Sequence, residues 1–309
     1  MDHFLMLPKF PASTPKKNNP SSVIASLLLY LFAGYWMIPD PIFLLTLVGI
    51  LFLHEAGHWL AMRYYGYQDT AIFFIPFLGA MVAGSKRNLS ESQSVIIILA
   101  GPLPGFILGW VLFQWGSTMP LLTSHSISIA QIGWLMVLLN GLNLLPVYPL
   151  DGGQLFNRVY LGEEGKFSNA FIFLSCLFMT GLAIYFSYYF LLIIPIWVGW
   201  RQRRNKMYDQ IEAKIEEKGI DNDFDYAELP DNFYWELRDV LIDVHPSFRS
   251  VSKNRDQYHE KEAAIQYTIE HFLKRSLIQD LPVAKKIGLV VLWAFLLFAC
   301  IPVILQLYN

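Results

Sequence analysis

Charge is scarce along this chain: 16% of its 309 residues are Asp, Glu, Lys or Arg, against 54% that are hydrophobic. With a mean hydropathy of +0.38, that scarcity excludes an ordinary soluble enzyme and implies a chain that crosses a bilayer several times. The net charge is −2, and the basic residues sit in short clusters at the ends of apolar runs. No continuous basic face results, which excludes nucleic acid as a partner. There are two cysteines, Cys176 and Cys300, both inside apolar runs. That leaves neither a disulfide framework nor a thiolate metal site. No internal repeat and no low-complexity tract is found, and no small-residue cleavage site comes after the first apolar stretch, which is read as a retained span.

Apolar runs predict spans near residues 22–38, 41–65, 94–114, 127–148, 168–183, 185–200 and 287–308. The fifth and sixth come from one run, residues 170–200, too long for one crossing unless strongly tilted, so it is either two short helices turning near Ser187 or one long helix. With seven spans, the basic clusters at the N-terminus, at Lys86 and Arg87, at Arg158 and Lys166, at residues 201–206, and at Lys285 and Lys286 share one side, expected to be the cytoplasm. Residues 201–286 carry dense charge and amphipathic stretches at 207–218 and 261–278, and are expected to form a helical cytoplasmic domain. Its His245, His259 and His271 match no metal spacing and read as surface residues. Residues 1–21, with four prolines and two asparagines among the first twenty, are expected to be a flexible cytoplasmic tail. The organisation is thus a tail (1–21), a transmembrane core (22–200), a cytoplasmic helical domain (201–286) and a C-terminal transmembrane helix (287–309). The fold class is an all-α polytopic membrane protein of about six or seven transmembrane helices.

Residues 52–61 read F-L-H-E-A-G-H-W-L-A, an H-E-x-x-H motif inside an apparent transmembrane helix. At helical pitch His54 and His58 project from nearly one face, with Glu55 beside them and able to polarise a metal-bound water. His54 lies eleven residues before Tyr65, roughly 16 Å from that end of the span at 1.5 Å per residue. Two imidazoles do not complete a catalytic zinc site, which takes three protein ligands and leaves a position open, so a third ligand is required elsewhere. Residues 143–153 read N-L-L-P-V-Y-P-L-D-G-G. They place Asp151 near the cytoplasmic end of a helix broken by Pro146 and Pro149. A carboxylate so close to an apolar run is costly unless paired or metal-bound. Asp151 is the predicted third ligand, turned back toward the histidines by chain unwound at the prolines and at Gly152 and Gly153.

With H-E-A-G-H in one span, N-L-L-P-V-Y-P-L-D-G in a later one and L-A-G-P at residues 99–102 between them, the chain resembles the site-2 protease family of intramembrane zinc metalloproteases, peptidase family M50. The resemblance covers about residues 41–154. It implies one Zn²⁺ held by His54, His58 and Asp151, Glu55 as general base and acid, and Asn143 helping to position the substrate. It implies an intramembrane endopeptidase acting on membrane-anchored proteins or peptide remnants, with the bilayer as its setting. The chain departs from the family pattern in several places. No PDZ-like insertion separates the zinc motifs and no CBS-type pair comes after them. Pro104 and Gly105 stand where relatives favour a nearby asparagine, and no catalytic role is assigned there. Residues 201–286 have no family counterpart to transfer, and a regulatory partner is expected to act on them. A bacterial inner membrane, with the site nearer the cytoplasm, is the expected location.

Between the second and third spans, residues 66–84 are apolar but broken by Pro76 and Gly79. They suit a small membrane-associated β-hairpin whose free edge pairs with an unwound substrate, which the resemblance also implies; an ordinary re-entrant packing loop is the alternative. Two other classes are weighed. A non-proteolytic scaffold or chaperone that binds transmembrane helices is expected to lack the base, and Glu55 is present. A metal transporter needs polar positions on several spans, and the other spans are almost uniformly apolar.

Overall fold

The computed structural model describes residues 6–12, 20–76, 79–86, 89–116, 120–122, 125–162, 165–273 and 277–305. The chain divides into two compact units, one of residues 17–196 with 277–309 and the other of residues 1–16 with 197–276. In chain order the elements are α1 (Pro20–Met37), α2 (Pro41–Tyr64), β1 (Gln68–Ile75), β2 (Gly79–Ser85), β3 (Leu89–Ser90), α3 (Glu91–Ala100), α4 (Pro102–Trp115), β4 (Pro120–Leu122), β5 (His125–Ser128), α5 (Ile129–Asn143), α6 (Asp151–Tyr160) and α7 (Lys166–Tyr185). The later elements are α8 (Ile193–Glu217), α9 (Asp231–Val244), α10 (Glu262–Phe272), β6 (Leu277–Ile278), α11 (Val283–Ala299) and α12 (Ile301–Leu305).

Among the described residues, five helical stretches are long and apolar enough to cross a bilayer: Pro20–Met37, Pro41–Tyr64, Glu91–Trp115, Lys166–Tyr185 and Val283–Leu305. They coincide with five of the expected spans. The helix expected over 127–148 runs only from Ile129 to Asn143, because Pro146 bars the helix from continuing. Of the two alternatives for the run 170–200, one long helix is not what forms: the chain turns near Ser187. α7 stops at Tyr185, Ser187 takes a left-handed φ of 58°, and a 3₁₀ turn at Tyr189–Leu192 leads into α8. Only eight residues of α8 precede Arg201. The remainder carries on into the charged unit.

Starts are set by local chemistry. The Asp40 carboxylate caps α2 by accepting from the Ile42 and Phe43 amides, with Pro41 at the first helical position. Ser128 and Gln131 form a reciprocal capping box at α5. α4 and α5 pack at backbone distance: a Cβ on Gly133 would lie 2.4 Å from the Phe113 nitrogen, and one on Gly109 2.9 Å from the Gly133 oxygen. Small residues at such crossings are how apolar helices associate without a hydrophobic driving force.

The last helix belongs to this core. Leu296, Cys300 and Val303 are buried together with Leu99, Phe106, Val137 and Leu155. The Trp134 indole donates to the Val303 carbonyl, and the Trp293 indole to the Leu144 carbonyl. Residues 277–286, expected to lie in the cytoplasmic domain, fasten to the membrane unit. β6 pairs in parallel with β3, Asp280 accepts from the Ser90 hydroxyl and the Ser92 amide, and Lys286 Nζ meets Glu91 Oε1 and the Val159 carbonyl.

The charged unit buries Ile211, Ile215, Trp235, Leu241, Ile265 and Ile269 around an ion pair. Arg238 Nε donates to Glu262 Oε1 at 2.7 Å, Nη2 to Oε2 at 3.1 Å, and the Tyr234 hydroxyl to the same carboxylate at 2.6 Å, all fully buried. Residues 7–10, within the segment expected to be a loose tail, are docked on this unit, with Leu7 and Phe10 packed against its core. A sequence of prolines and polar residues reads as mobile when its docking partners lie more than 200 positions away. Replacing Glu262 by leucine leaves the Arg238 guanidinium buried without a counter-charge, an expected loss of ~3–5 kcal/mol. Hydrogen exchange should then quicken across α9 and α10 but not across α2.

Candidate metal centre

α2 carries His54 and Glu55, both buried, and half-buried His58 one turn on. Asp151 is buried at the first position of α6, with Leu150 as the N-cap. The carboxylate therefore opens a new helix, in place of the unwound helix end expected from the prolines. Gly152 and Gly153 are needed for proximity. A Cβ on Gly152 would lie 2.1 Å from the Leu144 oxygen and one on Gly153 2.3 Å from the Val147 carbonyl carbon. Without side chains there, the first turn of α6 sits directly on the chain leaving α5.

This fold brings together the three predicted ligands. His54 Nε2 is 3.0 Å from Asp151 Oδ2, His58 Nε2 is 3.3 Å from it, and the two Nε2 atoms are 3.1 Å apart. Among the described residues this is the one cluster of His, Cys, Asp and Glu able to hold a metal ion. The other ring nitrogens are committed. His58 Nδ1 donates to the Ile97 carbonyl at 2.8 Å, and His54 Nδ1 donates to Asn140 Oδ1 at 2.9 Å. The Asn140 amide is fixed in that sense because its Nδ2 donates to the Met136 carbonyl at 2.7 Å. With both ring protons on Nδ1, both Nε2 atoms present lone pairs, and Asp151 Oδ2 receives a hydrogen from neither. Three converging lone-pair donors out of water repel one another unless a cation lies between them. Tetrahedral zinc with bonds of about 2.0–2.1 Å separates its ligands by about 3.3 Å. The donor set and its spacing fit Zn²⁺.

Glycines make the room. A Cβ on Gly57, between the two histidines in sequence, would lie 1.9 Å from the Ala100 oxygen; one on Gly101 would lie 2.2 Å from His58 Nε2, and one on Gly105 2.5 Å from Asn140 Nδ2. The L-A-G-P-L-P-G stretch thus lets α3 and α4 pass against the His58 ring and the Asn140 amide, which gives Gly105 a spatial role where no catalytic one was expected. Asn140 and the Ile97 carbonyl were missed in the sequence. The available signal was an amide inside an otherwise apolar helix, three residues before Asn143. Asn143 itself is half-buried, and its Nδ2 donates to the Leu139 carbonyl at 3.3 Å.

The expected hairpin is present, with Ile72 opposite Val82, Phe74 opposite Ala80 and Ile75 opposite Gly79; Phe77 and Leu78 lie outside the described residues. The Phe74 amide donates outward to Ser26 Oγ on α1 at 3.2 Å, which closes the free edge of β1 there. Alternation along an antiparallel pair then turns the amides of Ala80 and Val82 outward on the opposite edge. The Val82 amide meets the Glu55 carboxylate. One edge of the hairpin thus borders the buried glutamate.

Asn140→Leu removes the acceptor that holds the His54 tautomer and should weaken zinc binding about 10–100-fold, measured by competition with a chromophoric chelator. Gly101→Ala, whose methyl collides with the His58 ring, should weaken it at least as much.

Residues 42–127 match the model of peptidase family M50, a stretch holding His54, Glu55, His58 and the hairpin. The zinc metalloprotease MJ0392 of Methanocaldococcus jannaschii is 27% identical over 143 residues, 45% of this chain and 41% of the relative. Stage IV sporulation protein FB of Bacillus subtilis is 30% identical over 119 residues, 36% of this chain and 38% of the relative. The chain thus spans about two fifths of the length of these curated relatives. A solved site-2 protease from Methanocaldococcus jannaschii is similar at a TM-score of 0.42 with 22% identity, over 58% of this chain and 84% of that one. Across residues 42–127, which hold the H-E-x-x-H helix, the chain is thus similar to peptidase family M50, and the cluster of His54, His58 and Asp151 is a ligand set of the kind such a helix requires.

Proposed function

We propose that the protein is a zinc endopeptidase that cuts membrane-anchored proteins or peptide remnants within or next to the bilayer. The observation that carries this reading is the convergence of two tautomer-locked imidazoles and one carboxylate beside a buried glutamate, with His54, Glu55 and His58 on a helix long and apolar enough to cross a bilayer. When bound, zinc supplies the Lewis acidity that makes water a nucleophile near neutral pH and polarises the scissile carbonyl. Glu55 takes the proton of the attacking water and returns it to the leaving amine. The buried surroundings exclude competing water, so the charge on Glu55 and Asp151 is felt at full strength by the reacting atoms. Asn143, on the last turn of α5, is assigned to substrate positioning, and Asn140 to holding His54.

A peptide bond inside a transmembrane helix is protected by its own hydrogen bonds. The outward edge of β2 at Ala80 and Val82 offers replacement main-chain partners to an unwound substrate, next to Glu55. A strand added there would take the Val82 amide from the glutamate and so deliver substrate and free base together.

The docking of residues 7–10 on the charged unit supports a topology of seven crossings. Both ends of residues 17–196 then lie on one side, so that stretch crosses an even number of times. α1, α2, α3 with α4, α5 and α7 make five, and residues 189–200 supply the sixth, flanked by Tyr188 and Tyr189 at one end and by Arg201 and Arg204 over the Trp197 and Trp200 rings at the other. The clusters of Lys and Arg support a cytoplasmic location for that side, with His54 about 15 Å from the inner end of α2. A bacterial inner membrane, and a partner acting on the charged unit, complete the reading.

Mass spectrometry of new protein termini in cells carrying the wild type or Glu55→Gln tests the activity, with zinc per purified chain measured alongside. Termini in or beside transmembrane segments should appear only with the wild type, at one zinc per chain in both. Identical termini despite bound zinc would make the protein a scaffold for transmembrane helices. Ala80→Pro removes an outward amide without touching the β1 ladder; it should slow cleavage at least tenfold while zinc stays bound, and an unchanged rate would reject strand pairing.

A further inference from the structure

Residues 7–10 lie extended across the charged unit, and their contacts form a pattern. Three carbonyls of the segment each accept from an aromatic side chain: Leu7 O from Trp235 Nε1 at 2.8 Å, Pro8 O from the Tyr258 hydroxyl at 2.6 Å, and Phe10 O from the Tyr226 hydroxyl at 2.6 Å. The Leu7 amide donates to the Arg255 carbonyl at 3.0 Å and the Lys9 amide to Asp231 Oδ1 at 2.9 Å. Trp235 and Tyr258 are stacked in parallel, and Phe10 meets Tyr258 edge-on at 5.2 Å. Aromatic donors reading the carbonyls of an extended, proline-containing strand are the chemistry by which proline-rich peptides are recognised.

One side chain is read individually. Lys9 Nζ donates to the carbonyls of Tyr226, Ala227 and Leu229 at 2.9, 2.7 and 2.7 Å, and stands 5.7 Å from the Tyr226 ring centre. Three acceptors match the three donors of an ammonium and leave none unused. A planar guanidinium cannot present its hydrogens that way, and a carboxylate would be repelled. The backbone contacts tolerate many sequences, whereas the carbonyl cage demands lysine.

We propose that this groove is a peptide-recognition site, occupied here by the chain's own residues 6–11, and that it takes an extended segment of another protein carrying proline, then lysine, then an apolar or aromatic residue. The resident segment is the template for that partner. As a tethered ligand it competes for the groove intramolecularly, so a partner binds by exchange. The proposal does not depend on the proteolytic reading, since none of its residues belongs to the metal centre.

The test uses the full chain in lipid nanodiscs and a fluorescein-labelled peptide, Met-Leu-Pro-Lys-Phe-Pro. Anisotropy should show binding to the Lys9→Glu chain at least tenfold tighter than to the wild type, because the resident ligand is weakened. The same peptide with glutamate for its lysine should bind neither. On the unmodified wild type, saturating peptide should speed hydrogen exchange at the Leu7 and Lys9 amides, a readout that needs no variant to fold. Failure of millimolar peptide to change that exchange would overturn the proposal and make the segment a fixed part of the unit. Equal binding of the two peptides would overturn the lysine requirement, and a wild-type dimer dissolved by Lys9→Glu would replace the partner with exchange between copies.

Discussion

Two imidazole nitrogens and a carboxylate oxygen held within 3.3 Å of one another, away from water, form an arrangement that tends to fly apart. Everything around it serves to prevent that. Each histidine is gripped at its far nitrogen, one by a backbone carbonyl and one by an amide itself pinned to its helix. The grip fixes where each proton resides and therefore which way each lone pair points, so the cation meets ligands already turned toward it. Helices then have to approach closely enough for these grips to reach. Glycines at 57, 101, 105, 152 and 153 are where they do so, each at a position where a single methyl group would collide.

The same constraint explains why the last helix is packed as core. Trp293 holds the carbonyl of Leu144, on the chain that leads to Asp151, and Lys286 ties the start of α3 to the end of α6. α3 supplies the Ile97 carbonyl to His58, and α6 supplies Asp151. The fastening beyond β6 thus braces both of the helices that complete the α2 histidine pair. The charged unit has its own keystone in the Arg238 and Glu262 pair, whose desolvation is offset only by near-complete hydrogen bonding.

Much of the candidate site was legible in the sequence because its chemistry is costly in hydrocarbon: His54, Glu55 and His58 interrupt an apolar helix, and Asp151 follows directly on an apolar run. The hairpin was legible because Pro76 and Gly79 break a run too short to cross. Asn140 was not, since an amide within a helix reads equally as packing, and nothing local says that it faces a ring 86 positions earlier. The start of α6 was not legible because prolines announce an interruption without saying whether loop or helix comes next; a second helix begins at Asp151, after the turn that follows Asn143. Five of the expected spans were plain from length. The stretch after Tyr185 was harder, because eight apolar residues merge without a break into a charged helix. The docking of residues 7–10 lay beyond any local pattern, being made entirely of partners from the far side of the chain.

The brace at residues 280–303 also sets an order in time. A chain is made from its N-terminus, so His54, His58 and Asp151 enter the membrane before Lys286, Trp293 and Val303 exist. Until those residues are synthesised and inserted, Leu144, Val159 and Trp134 lack their partners, and the helices bearing the Ile97 carbonyl and Asp151 are held only from one side. The ligands are thus present early, and their fixed geometry arrives late.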